Sequence, residues 1–270
     1  MRPILYVFGQ PIPVYGLSIL LGAAVAWLFI CFLIQKKEKV TQNDAQTVVL
    51  LGMCGAIAGA VLLRPMMRLV GPLFNPGAFA EISQGFLFDF LFGEIVFYGG
   101  FLGGFFTVLV VCKCFKIAMI PMLDILTPAL AIGYAIARIG CLFAGCCYGI
   151  EVTADHPLAI VYPPVAIGAP PGVPLMAVPV LASGFAFLLC AVLVTVYLKS
   201  NSPGRCAMIY LFAYSVWRFV IEFFRGDIIR GAYWLFTTSQ YISVLVFALG
   251  LILLFHIRSK AKQGANNTSE

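Results

Sequence analysis

VYGLSILLGAAVAWLFICFLI, residues 14–34, runs without a charged side chain and is closed by Gln35, Lys36 and Lys37. A helix needs roughly 20 mostly apolar residues to cross a hydrocarbon core, and this stretch has that length. It is too long for the apolar core of a secretory leader, and no A-x-A-type cleavage site follows, so it reads as a retained first helix. Six more stretches of the same kind follow, at about 47–63, 95–112, 122–139, 178–198, 205–224 and 235–257. Backbone groups in lipid must bond within their own segment, so each is expected to be helical. The fold class predicted is all-α: a polytopic integral membrane protein with seven transmembrane helices.

Composition agrees. Of 270 residues, 62% are hydrophobic and 10% charged, with a mean hydropathy of +1.01. Soluble domains run at about 45–50% apolar and about 25% charged. This excludes a soluble globular enzyme, a disordered chain and a basic nucleic-acid binder, so no nucleic-acid partner is expected. Massed apolar runs, instead of alternation, exclude an outer-membrane barrel. The lysines orient the chain: Lys36, Lys37 and Lys39 follow span 1, Lys113 and Lys116 span 3, Lys199 span 5, Lys260 and Lys262 span 7. Lysine collects on the cytoplasmic side, which puts the N-terminus outside and the C-terminus in the cytoplasm. The organisation expected is one membrane domain over residues 1–262 and a disordered polar tail, 263–270. Two long outer segments belong to the domain: an arm at about 66–94, with an amphiphilic stretch 86–92, and a loop at about 141–173. No internal repeat is visible, which weighs against the inverted-repeat transporters.

Ionised side chains inside a membrane cost at least ~2.5–3.5 kcal/mol each and mark function by default. Span 6 carries Arg218, Glu222 and Arg225 at spacings of four and three, which on a continuous helix share one face. The alternatives are a structural ion pair, or an Arg225 that snorkels to the interface. Span 4 ends with Arg138, at outer-leaflet depth, followed by Gly140, Gly145 and Gly149. Phosphate is the anion available there, and arginine binds it as a planar fork, so converging arginines suggest an anionic phospholipid site. Tyr15 and Tyr98 lie at the same level, either as belt residues or as headgroup partners. Cys141, Cys146 and Cys147 form C-x4-C-C, a weak metal signal even with His156 as a fourth ligand. A buried apolar role or a disulfide is expected instead, with no metal and no cofactor.

The order of motifs resembles the bacterial prolipoprotein diacylglyceryl transferase family. It runs through Tyr15-Gly-Leu, aromatic-x-Gly-Gly at 97–100, Asp124 with Pro128, and Arg138-Ile-Gly with glycines at 145 and 149. Trp217-Arg-x-x-x-Glu-Phe-Phe-Arg and Ser239-Gln240 follow. The resemblance spans nearly the whole chain. It implies a seven-helix enzyme of the bacterial plasma membrane with its active site toward the outer leaflet. Such an enzyme moves the diacylglyceryl group of phosphatidylglycerol onto the lipobox cysteine thiol of a preprolipoprotein and releases glycerol-1-phosphate. Its partners are membrane lipid and the preprolipoprotein lipobox segment. By motif position, Arg138, Arg218, Glu222 and Tyr98 are implied as catalytic. Arg138, Arg218, Arg225, Tyr15, Gly99, Gly100, Cys141 and Gly149 are implied as binding phosphatidylglycerol. The sequence departs from the family pattern at Tyr98 (usually His), Cys141 (Asn) and Cys146 (Glu). It also departs at Pro179-Val180-Leu181-Ala182 (a Gln-Leu-Tyr-Glu-like element) and at Val61, where the usual Arg shifts to Arg64. Tyrosine is a poor base at neutral pH, which leaves Glu222 as the intramembrane candidate. Two other readings are a divergent paralogue that binds phosphatidylglycerol or modifies another acceptor, and a small membrane transporter.

Overall fold

The computed structural model describes residues 4–7, 10–37, 40–74, 97–226, 232–233 and 236–267. Among them the apolar runs form helices α1 (Val14–Lys36), α2 (Gln42–Phe74), α3 (Phe97–Cys114), α4 (Met119–Ala144), α5 (Val178–Lys199), α6 (Arg205–Ile221) and α7 (Thr238–Asn267). Three short antiparallel hairpins accompany them: β1–β2 (Ile4–Val7, Gln10–Pro13) before α1, β3–β4 (Ala159–Val161, Pro174–Met176) between α4 and α5, and β5–β6 (Ala232–Tyr233, Phe236–Thr237) between α6 and α7. Among the described residues five helical stretches are long and apolar enough to cross a membrane: Val14–Lys36, Gln42–Leu62, Met119–Ala144, Val178–Lys199 and Arg205–Phe224. Two shorter apolar helices, Gly99–Cys114 and Ser239–Ile252, accompany them. Their outward side chains are apolar too, with Leu20, Leu28 and Leu188 each about two-thirds exposed. Water tolerates few such surfaces; lipid favours them. The chain is a multi-pass, mostly helical membrane protein.

The chain divides into two compact units, Glu38–Met122 and the combination of Met1–Lys37 with Leu123–Glu270. The smaller unit is the pair α2 and α3. Its helices meet along Gly55 and Gly59 of one and Gly99 and Gly103 of the other. A methyl group on Gly59 would run into the Gly99 carbonyl and Gly103 Cα, and one on Gly103 into the Gly55 carbonyl. Small residues four apart let membrane helices approach backbone to backbone, where van der Waals contact replaces the hydrophobic force that lipid removes. Gly100 lies over Ala56 and Ala60 of α2. Gly99 and Gly100, carried over as headgroup contacts, thus pack α3 on α2.

The larger unit has two distinct ends. At one end Lys37 Nζ donates to the Ser200 carbonyl and to Asn201 Oδ1, each at 3.0 Å. Buried Asp124, in the first turns of α4, accepts the backbone N–H groups of Gly204, Cys206 and Ala207 at 2.6–3.2 Å. A carboxylate on the orphan amides of α6 does the work of an N-cap from another helix. At the other end Gly140 of α4 abuts Tyr15 and Ser18 of α1, and the loop after α4 meets the end of α6. Between the ends, Gly22 faces Gly133 across α1 and α4, and Ser183 of α5 donates to the Ala135 carbonyl at 3.0 Å.

Four boundaries differ from the expectation. Helix α2 continues through Phe74, so residues 66–74 of the expected arm continue that helix; residues 75–94 of that arm lie outside the described residues, as does Lys39. Helix α4 runs on through Cys141 to Ala144, and the outer loop starts at Gly145. Helix α7 continues to Asn267, past Gln263 where order was expected to end. The fourth difference corrects the shared face of Arg218, Glu222 and Arg225. Helix α6 stops at Ile221, tightens into a 3-10 turn over Glu222–Phe224, and leaves Arg225 extended. The cause is a competing partner: Arg225 forms a β-bridge with Gly149, which an α-helical Arg225 could not make.

Candidate active site

The last turn of α4 breaks at Gly145, whose φ of 75° lies in the left-handed region that glycine enters at no steric cost. Its N–H and that of Cys146 both return to the Cys141 carbonyl, at 3.0 and 3.2 Å. The chain then passes through Cys147, a non-glycine residue at φ 60°, and reaches Gly149. There it is clamped. Gly149 N–H donates to the Met176 carbonyl (2.9 Å), Ile150 N–H to Phe224 (3.0 Å), and Gly226 N–H to Tyr148 (3.1 Å). A methyl group on Gly149 would sit 2.8 Å from the carbonyl oxygens of Met176 and Phe224. Glycine is therefore needed at 149 for close backbone approach. The hairpin β3–β4 supplies the floor: Met176, Val178 and Ile221 form one buried cluster with Trp217 against it, and Tyr162, Ala169 and Leu175 another.

This clamp gathers the charged side chains of α4 and α6. The Arg138 guanidinium lies 4.7 Å from the Tyr134 ring centroid. Tyr134 meets Tyr214 edge to face at 5.7 Å, and Tyr214 stacks on Tyr210 at 5.6 Å. Tyr214 is within electrostatic reach of both Arg138 and Arg218. Arg138 Nε is buried and has no hydrogen-bond partner among the described residues. Arg218, in contrast, has two partners: Nη1 pairs with Glu222 Oε2 at 2.5 Å, and Nη2 donates to Ser239 Oγ at 2.7 Å. Glu222 is buried. Gln240 closes the start of α7 as a capping box with Thr237: Thr237 N–H donates to Gln240 Oε1 (2.9 Å), and Gln240 N–H to Thr237 Oγ1 (3.3 Å).

Beside Arg138 the three thiols of Cys141, Cys146 and Cys147 converge, their sulfur atoms all within 4.8 Å of one another. None is in a disulfide. Thiol hydrogen bonds from Cys141 and Cys146, with the Arg138 and Arg225 guanidinium groups near, hold Cys147 well below the ordinary thiol range. Burial, followed by the neighbouring thiols, pushes the Tyr162 hydroxyl up to about 12. Tyr15 is within electrostatic reach of all three cysteines and of Arg138. His156 is elsewhere: its Nδ1 accepts the Leu158 N–H at 3.1 Å.

The larger unit thus brings together Tyr15, Arg138, Cys141, Gly149, Arg218, Glu222 and Arg225. Gly99 and Gly100 belong to the α2–α3 pair, and the side chains of Tyr98 and Arg64 lie outside the described residues. Sequence reasoning missed Tyr134, Tyr210, Tyr214 and Tyr162. A signal existed for two of them: Tyr134 stands four residues before Arg138 and Tyr214 four before Arg218, a spacing that stacks side chains on one helix face.

The arrangement offers a phosphate-sized anion one half-buried guanidinium, whose Nε has no partner among the described residues, and a second held by Glu222 and Ser239. The family comparisons point the same way. Residues 3–256 match the family model described as prolipoprotein diacylglyceryl transferase. The phosphatidylglycerol–prolipoprotein diacylglyceryl transferase of Clostridium tetani is 31% identical over 97% of this chain and 100% of its own length. The second such transferase of Clostridium perfringens is 32% identical over 98% of this chain and 97% of its own. The corresponding transferase of Dehalococcoides mccartyi strain 195 is 26% identical over 94% and 92%. A family model covering nearly the whole chain, and relatives above 30% identity matched end to end, place this chain in the prolipoprotein diacylglyceryl transferase family.

Proposed function

We propose that the protein transfers the diacylglyceryl group of phosphatidylglycerol to the lipobox cysteine thiol of preprolipoproteins and releases glycerol-1-phosphate. The observation that carries the reading is half-buried Arg138, whose buried Nε has no hydrogen-bond partner among the described residues, beside an Arg218 held by Glu222 and Ser239. A buried, unmatched guanidinium N–H costs free energy unless an anion arrives. In a membrane-embedded site the anion at hand is a lipid phosphodiester.

Arg138 takes the phosphate of phosphatidylglycerol as a fork, with Tyr134 and Tyr214 holding its plane. Arg218 and Arg225 add positive charge on the side where the leaving phosphate gains it. The acceptor sulfur attacks the glyceryl carbon. The C–S bond forms, the C–O bond to phosphate breaks, and its electron pair leaves on glycerol-1-phosphate. Pre-set cations around developing charge stabilise such a transition state. The product is a thioether, so the step is displacement at carbon. Glu222 serves as a positioning residue: its ion pair holds the Arg218 guanidinium in place. Gly149 acts through the backbone clamp, and Tyr15 stands beside Gly140.

The reaction site faces the outer leaflet of the bacterial plasma membrane. Seven helices cross, with the N-terminus outside and the C-terminus in the cytoplasm. Lys37, Ser200 and Asn201 share the end of the larger unit opposite Arg138 and Gly149, as the lysine rule requires. The test is transfer itself. Purified protein in detergent, given phosphatidylglycerol and a lipobox peptide, adds a diacylglyceryl mass to the peptide, and Arg138→Ala does not. Phosphatidylglycerol binding with no mass gain would favour the paralogue reading instead.

A further inference from the structure

The proposed displacement needs the acceptor as thiolate, while a free cysteine has a pKa of about 8.5 and Glu222 is occupied by Arg218. The three cysteines near Arg138 suggest another route. Cys141 comes from the last turn of α4, and Cys146 and Cys147 from the turn behind Gly145, with Cys147 held at φ 60°. A non-glycine residue in that region costs free energy and persists where surrounding structure enforces it, often at functional sites. The result is three sulfur atoms within 4.8 Å of one another. A tetrahedral zinc with Zn–S bonds of about 2.3 Å holds its sulfurs about 3.8 Å apart, so a closure of about 1 Å would complete three corners. A disulfide can use only two of the three thiols, and all three are unbridged. Three thiolates on a divalent ion carry one net negative charge, and Arg138 and Arg225 are both near enough to Cys147 to balance it. Among the described residues no fourth His, Cys or carboxylate joins the three thiols, so the fourth corner is left to an incoming ligand. Three protein ligands and one open position are the pattern of a catalytic zinc, in contrast to the closed four-ligand structural site.

We propose that Cys141, Cys146 and Cys147 bind a thiophilic divalent ion, zinc in the first instance, and that its open position takes the acceptor cysteine thiol. The second half rests on the transferase reading above. On binding, the acceptor S–H gives its proton to water and the sulfur becomes a metal-bound thiolate. A lone pair of that sulfur forms the C–S bond as the C–O bond to phosphate breaks. The neutral thioether is a poorer ligand, leaves the ion, and a new thiol replaces it. The ion stays divalent throughout.

The test uses the full chain purified in detergent under reducing conditions, with zinc measured by elemental analysis and cobalt(II) as a spectroscopic probe. The expected result is about one zinc per chain and a thiolate-to-cobalt charge-transfer band, both lost in Cys146→Ser/Cys147→Ser and kept in Cys31→Ser. A lipobox peptide shifts the cobalt ligand-field bands, and its Cys→Ser version does not. Should the double variant not fold, Cys146→Ser alone weakens cobalt binding at least tenfold. No cobalt uptake by the reduced wild-type chain, or equal uptake by the cysteine variants, would overturn the site. Undiminished transfer by a folded, metal-free double variant would overturn the metal's role and leave the transferase standing. Cobalt and peptide-thiol binding without transfer would keep the site and remove the transferase reading.

Discussion

The α2–α3 pair and the α4–α6 end of the larger unit use the same device for different purposes. Both bring backbones together through glycine: Gly59 against Gly99 and Gly103 in one, Gly149 against Met176 and Phe224 in the other. In the pair, what meets is helix on helix, and the neighbours are Ala56, Ala60 and Thr107. The gain is contact. In the other region, glycine joins a loop to the end of a helix, and the backbone bonds satisfy themselves. The side chains this brings together are three arginines, a glutamate and three thiols. Close approach alone therefore does not mark a site. Close approach that leaves a charged group under-partnered does.

Breaking the second region should cost most. Arg218→Ala strands buried Glu222 without its cation; removing one partner of a buried pair costs roughly 3–5 kcal/mol. The expected outcome in detergent is a large fall in thermal stability, most of it restored in Arg218→Ala/Glu222→Ala. If the double variant is no better than the single, the ion pair is not what fixes this end of α6. Arg138→Ala removes the under-used guanidinium and should lower the transfer rate about 10²–10³-fold with little change in unfolding. A stability loss as large as that of Arg218→Ala would instead make Arg138 a structural residue and erase the contrast.

The first region should respond in stability alone. Gly59→Val overpacks α2 on α3, at about 1–3 kcal/mol, read as a lower unfolding midpoint. Were Gly59→Val to abolish phosphatidylglycerol binding by folded protein, the two regions could no longer be assigned separate tasks. Smallest is Gln240→Ala, which opens the capping box at the start of α7 and should cost about 1 kcal/mol. Because Gln240 sits next to Ser239, the partner of Arg218, a drop in transfer well beyond that stability loss would sharpen the comparison. It would mean that the site extends onto α7.

Much of this was readable from residues in order. The apolar runs are helical among the described residues, five of them long and apolar enough to cross a membrane, because in lipid an isolated run has no other way to pair its backbone. Arg138, Arg218 and Glu222 stood out because charge in such runs is costly. The chain order of motifs indicated the family, which the family model and the two clostridial relatives bear out. Where helices end was not readable. The spacing of Arg218, Glu222 and Arg225 fits a continuous helix equally well, and only the bridge from Arg225 to Gly149 ends it. Gly99 and Gly100 carry the same motif whether they face a headgroup or another helix. The sequence left the cysteines a buried apolar role or a disulfide; that three thiols converge was not readable, because it follows from Gly145 reversing the chain and returning Cys146 and Cys147 to Cys141. Local sequence by itself determined which segments enter the membrane and which side chains are too costly to be there without a reason. Which of those side chains meet, and which glycines serve packing or the site, only the tertiary structure decided, since contacts between distant segments depend on shape and not on composition.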